Sequence, residues 1–165
     1  MTRAENKLRT LDELAEECAE WQGQGLTVVL VNGAFDVLHV GHLRYLAAAS
    51  DRGDRLVVAV NSDLSIQLSK GELRPIIPEI ERVEILSHLW MVDRICLFDS
   101  GTVSPVLERL QPQIHAKGTD YTVDTVPERK VVEAYGGRTA ICGDPKDHAT
   151  TDLIGIIVDR FGSSE

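Results

Sequence analysis

The sequence predicts a doubly wound parallel β-sheet in a three-layer α/β/α fold, on three observations. Residues 26–31 and 55–61 are apolar without polar alternation, which is typical of parallel strands covered on both faces. Segments with helical periodicity separate such runs, so strands and helices alternate along the chain. The length of 165 residues, 43% of them hydrophobic, suits one core. We therefore expect a single domain over residues 1–165, with polar tails at 1–9 and 162–165.

The first predicted helix begins with a capping box. Thr10 and Glu13 have the spacing at which each side chain accepts a hydrogen bond from the backbone amide of the other. Apolar residues then recur at helical spacing to about Gln22. The first strand, over 26–31, follows this helix and ends in a turn at Gly33.

A βαβ unit comes next. Residues 41–51 are rich in Leu and Ala, which favour a helix, and Gly53 is expected to close it. The second buried strand covers 55–61. A short helix is predicted over 64–69, and the prolines within 70–78 predict a loop.

The second half of the chain continues this alternation. The pair Gly136 and Gly137 is expected to stop one helix. Thr150 or Thr151 is expected to cap the last helix, which is amphipathic. The remaining predicted elements are helices over 79–90, 103–110, 126–135 and 151–161, and strands over 94–98, 113–116 and 139–142.

Charge and hydropathy exclude several function classes. The formal net charge of -9 provides no global positive field for nucleic acid or an anionic membrane. The apolar runs are too short to cross a bilayer and the first residues do not resemble a secretion signal, so we expect a cytoplasmic protein. Cys18, Cys96 and Cys142 lack the spacing of zinc ligands or of a disulfide framework, so we expect buried, reduced thiols and no metal ligands.

The most informative segment, residues 31–42, joins the first strand to the next helix. His39 and His42 flank Gly41 there, directly after a glycine turn. A helix N-terminus offers unpaired amides to an anion, and two imidazoles can donate to phosphate oxygens. The alternative is that both histidines only cap the helix, but their position at a strand-to-helix junction favours a phosphate site.

This segment resembles the motif of the cytidylyltransferase-like nucleotidyltransferases, in which Gly-x-Phe-Asp precedes His-x-Gly-His. The resemblance implies a Rossmann-like fold and transfer of a nucleotidyl group with release of pyrophosphate. It also implies that the two histidines hold the α- and β-phosphates. The matching residues are Gly33, Phe35, Asp36, His39, Gly41 and His42.

Later segments resemble the heptose-phosphate adenylyltransferases of that family. The resemblance covers residues 26–161 and implies transfer of AMP from ATP to a sugar 1-phosphate, D-glycero-β-D-manno-heptose 1-phosphate, in ADP-heptose supply for lipopolysaccharide. The segments are Asn61-Ser62-Asp63, Lys70-Gly71 with Arg74-Pro75 and Arg82, Lys117-Gly118-Thr119-Asp120-Tyr121, Tyr135-Gly136-Gly137 and Thr150-Thr151-Asp152-Leu153-Ile154.

The resemblance also implies the site residues. His39, His42 and Lys117 are the catalytic candidates. Asp36 either orients a motif histidine or the acceptor, helps to hold Mg²⁺ through water, or only stabilises a turn. The predicted nucleotide-binding residues are Asn32, Gly33, Ala34, Phe35, Asp36, Gly41, Arg44, Asn61, Asp63, Lys70, Arg74, Arg82, Gly118, Asp120, Thr150 and Thr151.

The expected ligands and partners are small. ATP is the implied substrate, and the triphosphate should carry Mg²⁺ because the sequence shows no dedicated oxygen cage. A sugar phosphate is the implied acceptor, with no nucleic acid and no membrane. The apolar last helix favours a homodimer, although burial of that helix in the core explains the same pattern.

Three positions depart from the heptose pattern. Ala34 replaces the usual Cys, Thr119 the usual second Gly, and Ala149 the serine that begins Ser-Thr-Thr. The missing serine hydroxyl removes one phosphate donor, which His148 and the helix amides could partly replace. Residues 143–148 look like an insertion. Three alternatives therefore stay open: a cytidylyltransferase for glycerol 3-phosphate, a flavin-nucleotide synthetase, and a regulatory nucleotide-binding subunit without turnover.

Overall fold

The computed structural model describes residues 6–145 and 149–162 and contains a five-stranded parallel sheet. The strands are β1 (Val28–Gly33), β2 (Arg55–Asn61), β3 (Arg94–Phe98), β4 (Ile114–Gly118) and β5 (Arg138–Cys142). The helices are α1 (Leu11–Gly23), α2 (Val40–Ser50), α3 (Asp63–Lys70), α4 (Glu79–Ser87), α5 (Ser104–Leu110), α6 (Arg129–Ala134) and α7 (Thr150–Phe161), with a 3₁₀ turn over Val123–Thr125.

The strand order is β3-β2-β1-β4-β5, which confirms the doubly wound sheet. β1 is central: Val28 pairs with Arg55 of β2 on one side, and Val29 pairs with Ile114 of β4 on the other. The order of the strands reverses between β1 and β4. Ligands of such sheets bind outside the carboxyl ends of the strands at this reversal.

The core lies on both faces of the sheet. Val29 and Val31 of β1 pack in a cluster with apolar residues of α2 and α4. Val28 and Leu30, which point the opposite way, pack with residues of α1, α5 and α6. All four of these valine and leucine side chains are fully buried. Burial on both faces explains why the strand has no polar alternation and confirms the three layers.

Two helices are shorter than predicted. α4 ends at Ser87 instead of reaching 90, because the chain must turn there for Asp93 to donate its amide to the Leu56 carbonyl before β3. α6 begins at Arg129 instead of 126, because the residue before a proline disfavours helical dihedrals, and Val126 is extended with a ψ of 118°.

The prediction that Gly53 closes α2 is wrong. α2 ends at Ser50 with Asp51 as its C-cap. Gly53 instead lies against β1, where a Cβ would come within 2.7 Å of Val29 Cγ2 and 2.8 Å of the Thr27 carbonyl oxygen. A glycine is therefore required here by packing.

Residues 6–9, the described part of the expected polar tail, contact the sheet. Leu8 forms a parallel bridge with Ile95 of β3, and the Arg9 amide donates to the Ile95 carbonyl at 2.9 Å. Lys7 donates its ammonium to the Leu89 carbonyl at 2.9 Å. Residues 6–9 therefore cover the outer edge of β3, while residues 1–5 and 163–165 lie outside the described residues.

α7 differs from prediction in its cap and in its packing. Ala149 occupies the N-cap position, so Thr150 and Thr151 are the first two residues of the helix. No side chain of α7 is buried, and the exposed fractions of Ile157 and Phe161 are 56% and 71%. Burial of the last helix in the core is therefore not observed. None of the helices within residues 6–145 and 149–162 is long and apolar enough to span a membrane.

Candidate active site

A cavity of about 510 Å³ lies at the carboxyl ends of β1, β4 and β5. The N-termini of α2 and α7 open into it, so both helix dipoles present positive ends to the same space. Such an arrangement favours an anionic ligand. The residues of the predicted site that line the cavity are Asn32, Gly33, Ala34, Phe35, Asp36, His39, Gly41, His42, Arg44, Lys70, Arg74, Lys117, Gly118, Asp120, Thr150 and Thr151.

The two motif histidines begin α2. His39 is the N-cap residue, and its Nδ1 accepts from the amide of Gly41 at 3.2 Å. Nδ1 of His42 accepts from the amide of His39 at 3.4 Å. The ring centroids are 4.0 Å apart. Because each Nδ1 is an acceptor, each neutral ring carries its proton on Nε2, which is the tautomer that can donate to a phosphate oxygen.

The turn before the histidines is tightly packed. Phe35 has a φ of 49°, a left-handed conformation that is uncommon for a bulky residue, and it is almost fully buried. Its ring lies 5.4 Å from the His42 ring, between centroids. A Cβ at Gly33 would come within 3.2 Å of the Phe35 ring. Gly33 therefore leaves room for the aromatic ring that supports His42.

Asp36 ties the motif to the loop between α3 and α4. Its Oδ2 accepts from Nε of Arg74 at 2.7 Å, and its Oδ1 accepts from the amides of Ile76 and Ile77 at 2.8 and 2.9 Å. The carboxylate is thus used to position Arg74 at the cavity. Both oxygens of this carboxylate therefore accept hydrogen bonds from the loop.

Lys117, at the end of β4, provides a second cation in the cavity wall. Its Nζ donates to Oδ1 of Asn32 at 3.4 Å and lies 4.8 Å from the centre of the Tyr121 ring. Burial lowers the pKa of Lys117, while the nearby carboxylates of Glu128 and Asp120 act to raise it. The group is a partly desolvated cation, a state that strengthens its attraction to a phosphate.

The segment after β5 is joined to the opposite side of the cavity. Thr119 donates its hydroxyl to the Asp144 carbonyl at 2.6 Å. The Asp144 carboxylate pairs with Arg44 of α2 at 3.2 Å. Two departures from the heptose pattern, Thr119 and the segment 143–148, are therefore in direct contact. Residues 146–148, which include His148, lie outside the described residues.

The last side of the cavity is the start of α7. Thr150 donates its hydroxyl to the Val37 carbonyl at 3.3 Å, which brings the helix N-terminus next to the motif. Ala149 has no side-chain oxygen to accept the free amides, although Asp152 accepts from the Ala149 amide at 3.1 Å. The first turn of α7, which begins with Thr150 and Thr151, therefore still has backbone amides that can donate to a ligand.

Three predicted site residues do not line the cavity. The guanidinium of Arg82 is fully buried and donates to the carbonyls of Ala34 and Ile77 and to Asp63. Oδ1 of Asp63 accepts from Nη2 of Arg82 at 2.8 Å. The side-chain amide of Asn61 donates to Oγ of Ser65 at 2.9 Å. These residues therefore hold the loops around the cavity in place without lining it.

Sequence reasoning left several lining residues out of the predicted site. Thr119 and Tyr121 belong to the segment Lys117–Tyr121, which resembles a segment of the heptose-phosphate adenylyltransferases. Tyr45 lies one helical turn after His42. Gly143 has a φ of 92°, and a Cβ there would come within 3.2 Å of Tyr45 Cα. The remaining unpredicted lining residues are Cys142, Asp144, Pro145 and Ala149.

Comparisons with curated proteins give relatives that are much longer than this chain. The bifunctional protein HldE of Geobacter sulfurreducens is 44% identical over 156 residues, which are 94% of this chain and 32% of that protein. The bifunctional protein HldE of Syntrophotalea carbinolica is 41% identical over 157 residues, again 32% of its length. The chain thus spans about a third of the length of these relatives.

Solved structures share the fold. A lipopolysaccharide core biosynthesis protein from Thermoplasma volcanium superposes with a TM-score of 0.64 at 30% identity, over 74% of this chain and all of that chain. A pantoate–β-alanine ligase from Francisella tularensis gives a TM-score of 0.62 at 14% identity, over 96% of this chain and 80% of the ligase, a likeness of fold alone.

The family model described as cytidylyltransferase-like matches residues 30–158. This range begins in β1, includes the His39 and His42 turn, and ends in α7. The match therefore covers every wall of the cavity. On this evidence the chain belongs to the cytidylyltransferase-like family of nucleotidyltransferases.

Proposed function

We propose that this protein transfers AMP from ATP to a sugar 1-phosphate, D-glycero-β-D-manno-heptose 1-phosphate, and releases pyrophosphate. The observation that carries the proposal is the pair of adjacent imidazoles, with Nδ1 atoms bound to amides, at a helix N-terminus in a cavity with four cationic side chains. The resemblance of the Lys117–Tyr121 and Arg74–Pro75 segments to heptose-phosphate adenylyltransferases supports the choice of acceptor.

The reaction requires no covalent enzyme intermediate. A phosphate oxygen of the acceptor attacks the α-phosphorus of ATP, and pyrophosphate leaves from the opposite side. The acceptor phosphate is already anionic at neutral pH, so the protein contributes mainly by positioning and by neutralising charge.

We assign charge stabilisation at the transferred phosphate to His39 and His42. With Nδ1 of each ring bound to a backbone amide, the proton of each ring is on Nε2, and the amides at the α2 N-terminus add to the positive potential. Lys117 and Arg74 approach from other walls and are suited to the acceptor phosphate and the triphosphate. Lys70, Arg44 and the amides beside Thr150 complete the set of phosphate-binding groups.

We propose that Mg²⁺ enters with the triphosphate. Within residues 6–145 and 149–162, no three His, Cys, Asp or Glu side chains are grouped to hold a metal ion. The Asp36 carboxylate accepts three hydrogen bonds from Arg74, Ile76 and Ile77, so most of its acceptor capacity is used by the loop. The triphosphate oxygens would therefore be the principal ligands, as Mg²⁺ prefers in nucleotide sites.

The test is release of pyrophosphate from ATP, CTP, GTP and UTP, each with a panel of sugar phosphates and with glycerol 3-phosphate. We expect ATP and heptose 1-phosphate to give the highest kcat/KM. His39→Ala and His42→Ala should each lower kcat by about 100-fold or more. His88→Ala, which changes an exposed histidine elsewhere, is the control. Nucleotide binding without release would favour a regulatory subunit.

We also propose a homodimer, formed through α7 and working in the cytoplasm, where its nucleotide is supplied. Four apolar side chains of α7 are exposed, those of Ile156, Ile157, Val158 and Phe161. Asp152 and Arg160 lie at equal distances along the helix from Ile156. An antiparallel α7 pair centred on Ile156 would therefore oppose each Asp152 to the Arg160 of the second copy. Sedimentation of Ile157→Asp should give a monomer, and Leu68→Asp on exposed α3 should not.

A further inference from the structure

His115 is a buried imidazole on β4, behind the wall of the cavity. Its side chain has no exposed surface. It lies two residues before Lys117 in the strand and so points to the same face of the sheet. Its Nε2 lies 3.0 Å from Oδ1 of Asn32, a residue that does line the cavity.

This contact determines which nitrogen of His115 carries the proton. An amide oxygen can only accept, so Nε2 must carry the hydrogen and donate it. Burial and the charge of Lys117 lower the pKa of His115 to about 3, so the ring is neutral at neutral pH. Nδ1 then has no proton, and it is buried without a hydrogen-bond partner among the described residues.

The same contact determines the orientation of the Asn32 amide. Oδ1 receives a second donor, Nζ of Lys117, at 3.4 Å. If the amide were flipped, its NH₂ group would face the Lys117 ammonium, which can only donate, so Lys117 disfavours that orientation. With Oδ1 held on the β4 side, the Nδ2 group is directed away from β4 and toward the cavity.

Lys117 depends in turn on Asn32. Lys117 is 9% exposed, its Nζ lies 4.8 Å from the centre of the Tyr121 ring, and the carboxylates of Glu128 and Asp120 attract its charge. A desolvated ammonium is held in place by the acceptors that face it. The Asn32 oxygen therefore helps to define where this cation lies in the cavity wall.

We propose that His115 is a positioning residue, which holds Asn32 so that Oδ1 faces Lys117 and Nδ2 faces the phosphate of a bound substrate. The proposal rests on the proposed function, in which Lys117 contacts a phosphate. Packing alone does not account for the histidine. An apolar side chain of similar size would fill the space without burying an unsatisfied Nδ1.

The first experiment compares three variants by steady-state kinetics of pyrophosphate release. His115→Leu removes the donor to Asn32 and should lower kcat/KM about tenfold, mainly by raising KM. His115→Gln, which can donate from its own amide, should recover most of this loss. Thr139→Val is the matched control, because Thr139 pairs with His115 across β4 and β5 and its buried hydroxyl has no partner among the described residues. The control should stay within about twofold of wild type.

A double-mutant cycle separates positioning from a general structural role. If His115 acts through Asn32, then His115→Leu should change kcat/KM less than about twofold when Asn32 is already Ala. Additive losses in the double variant, or wild-type kinetics for His115→Leu, would overturn the proposal. An equal loss in His115→Gln and His115→Leu would overturn it as well.

The ¹⁵N signal of the Asn32 side-chain amide provides a readout that does not need turnover. We expect this signal to shift in His115→Leu and to stay in place in Thr139→Val. If the wild-type protein released no pyrophosphate, the proposed function would fail and the amide signal alone would decide the positioning role. An unchanged signal in His115→Leu would refute that role whatever the activity.

Discussion

The carboxylate of Asp36 and the guanidinium of Arg74 meet at 2.7 Å and join the motif turn to the loop before α4. The Asp36 side chain is 1% exposed and that of Arg74 is 18% exposed. The pair is thus largely removed from water, where loss of one partner leaves an uncompensated charge. The shape of the cavity wall and the fold of this loop therefore depend on each other.

Asp36→Asn should destabilise the protein substantially. The substituted amide can still accept from the Ile76 or Ile77 backbone, but it cannot neutralise Arg74. We expect the free energy of unfolding, measured with urea, to fall by about 3 kcal/mol. Asp12→Asn is the control, because Asp12 pairs with Arg109 at the surface and its loss should cost less than about 1 kcal/mol. Equal losses in the two variants would contradict the structural role of Asp36.

Arg82→Lys tests whether Arg82 is a support or a phosphate ligand. A lysine ammonium cannot reach Ala34, Ile77 and Asp63 together, because it lacks the planar, forked donors of arginine. We expect the free energy of unfolding to fall by about 3 kcal/mol. Nucleotide affinity, measured by calorimetry on the folded protein, should weaken less than about tenfold, since Arg82 does not line the cavity. A stable variant with lost affinity would point to direct phosphate binding.

The sequence predicted the sheet well because its strands are buried on both faces. The bounds of β2 and β3 agree with those predicted, since each is an apolar run that ends at polar residues. Helix ends were less accurate, because a helical period continues into turns such as the one after Ser87. Hydrophobic pattern does not record where tertiary contacts require the chain to turn.

The candidate site was predicted only in part, for a geometric reason. A motif gives the order of residues along the chain but not the direction of each side chain. Arg82 and Arg74 both lie in the matched segment, yet one is buried below the loop and the other faces the cavity. Asp144 could not be predicted, because its contact with Thr119 depends on how β4 and β5 pair.

Stability should fall below neutral pH because His115 is buried in its neutral form. Its pKa is about 3 in the folded protein, against 6.5 for an ordinary histidine, so protons bind the unfolded state preferentially. This contribution to stability is intact above about pH 6.5 and is lost progressively toward pH 3. Between pH 6.5 and 5 the loss should be about 2 kcal/mol. His115→Leu should lack this component in urea denaturation, and a parallel pH dependence in both proteins would argue against it.

Thr119→Gly tests the link between the β4 loop and the segment after β5. Glycine removes the hydroxyl that donates to the Asp144 carbonyl, so Asp144 should hold Arg44 less firmly at the cavity. One neutral hydrogen bond is worth about 1 kcal/mol, so we expect KM for the sugar phosphate to rise about fivefold. Thr119→Ser keeps a hydroxyl and should behave as wild type. If both variants had wild-type KM, the contact would have no role in substrate binding.

Ala149→Ser should stabilise the start of α7. Ala149 already has extended N-cap dihedrals, and its amide donates to Asp152, so a serine hydroxyl that accepts from the Asp152 amide would complete a capping box. The gain should be about 1 kcal/mol. Because no α7 side chain is buried, we expect the gain in local opening of the helix rather than in global unfolding. Amide hydrogen exchange at Asp152 and Leu153 should slow about fivefold. Ala149→Val, which has no hydroxyl, should not slow it, and equal exchange in the two variants would show that the cap does not form.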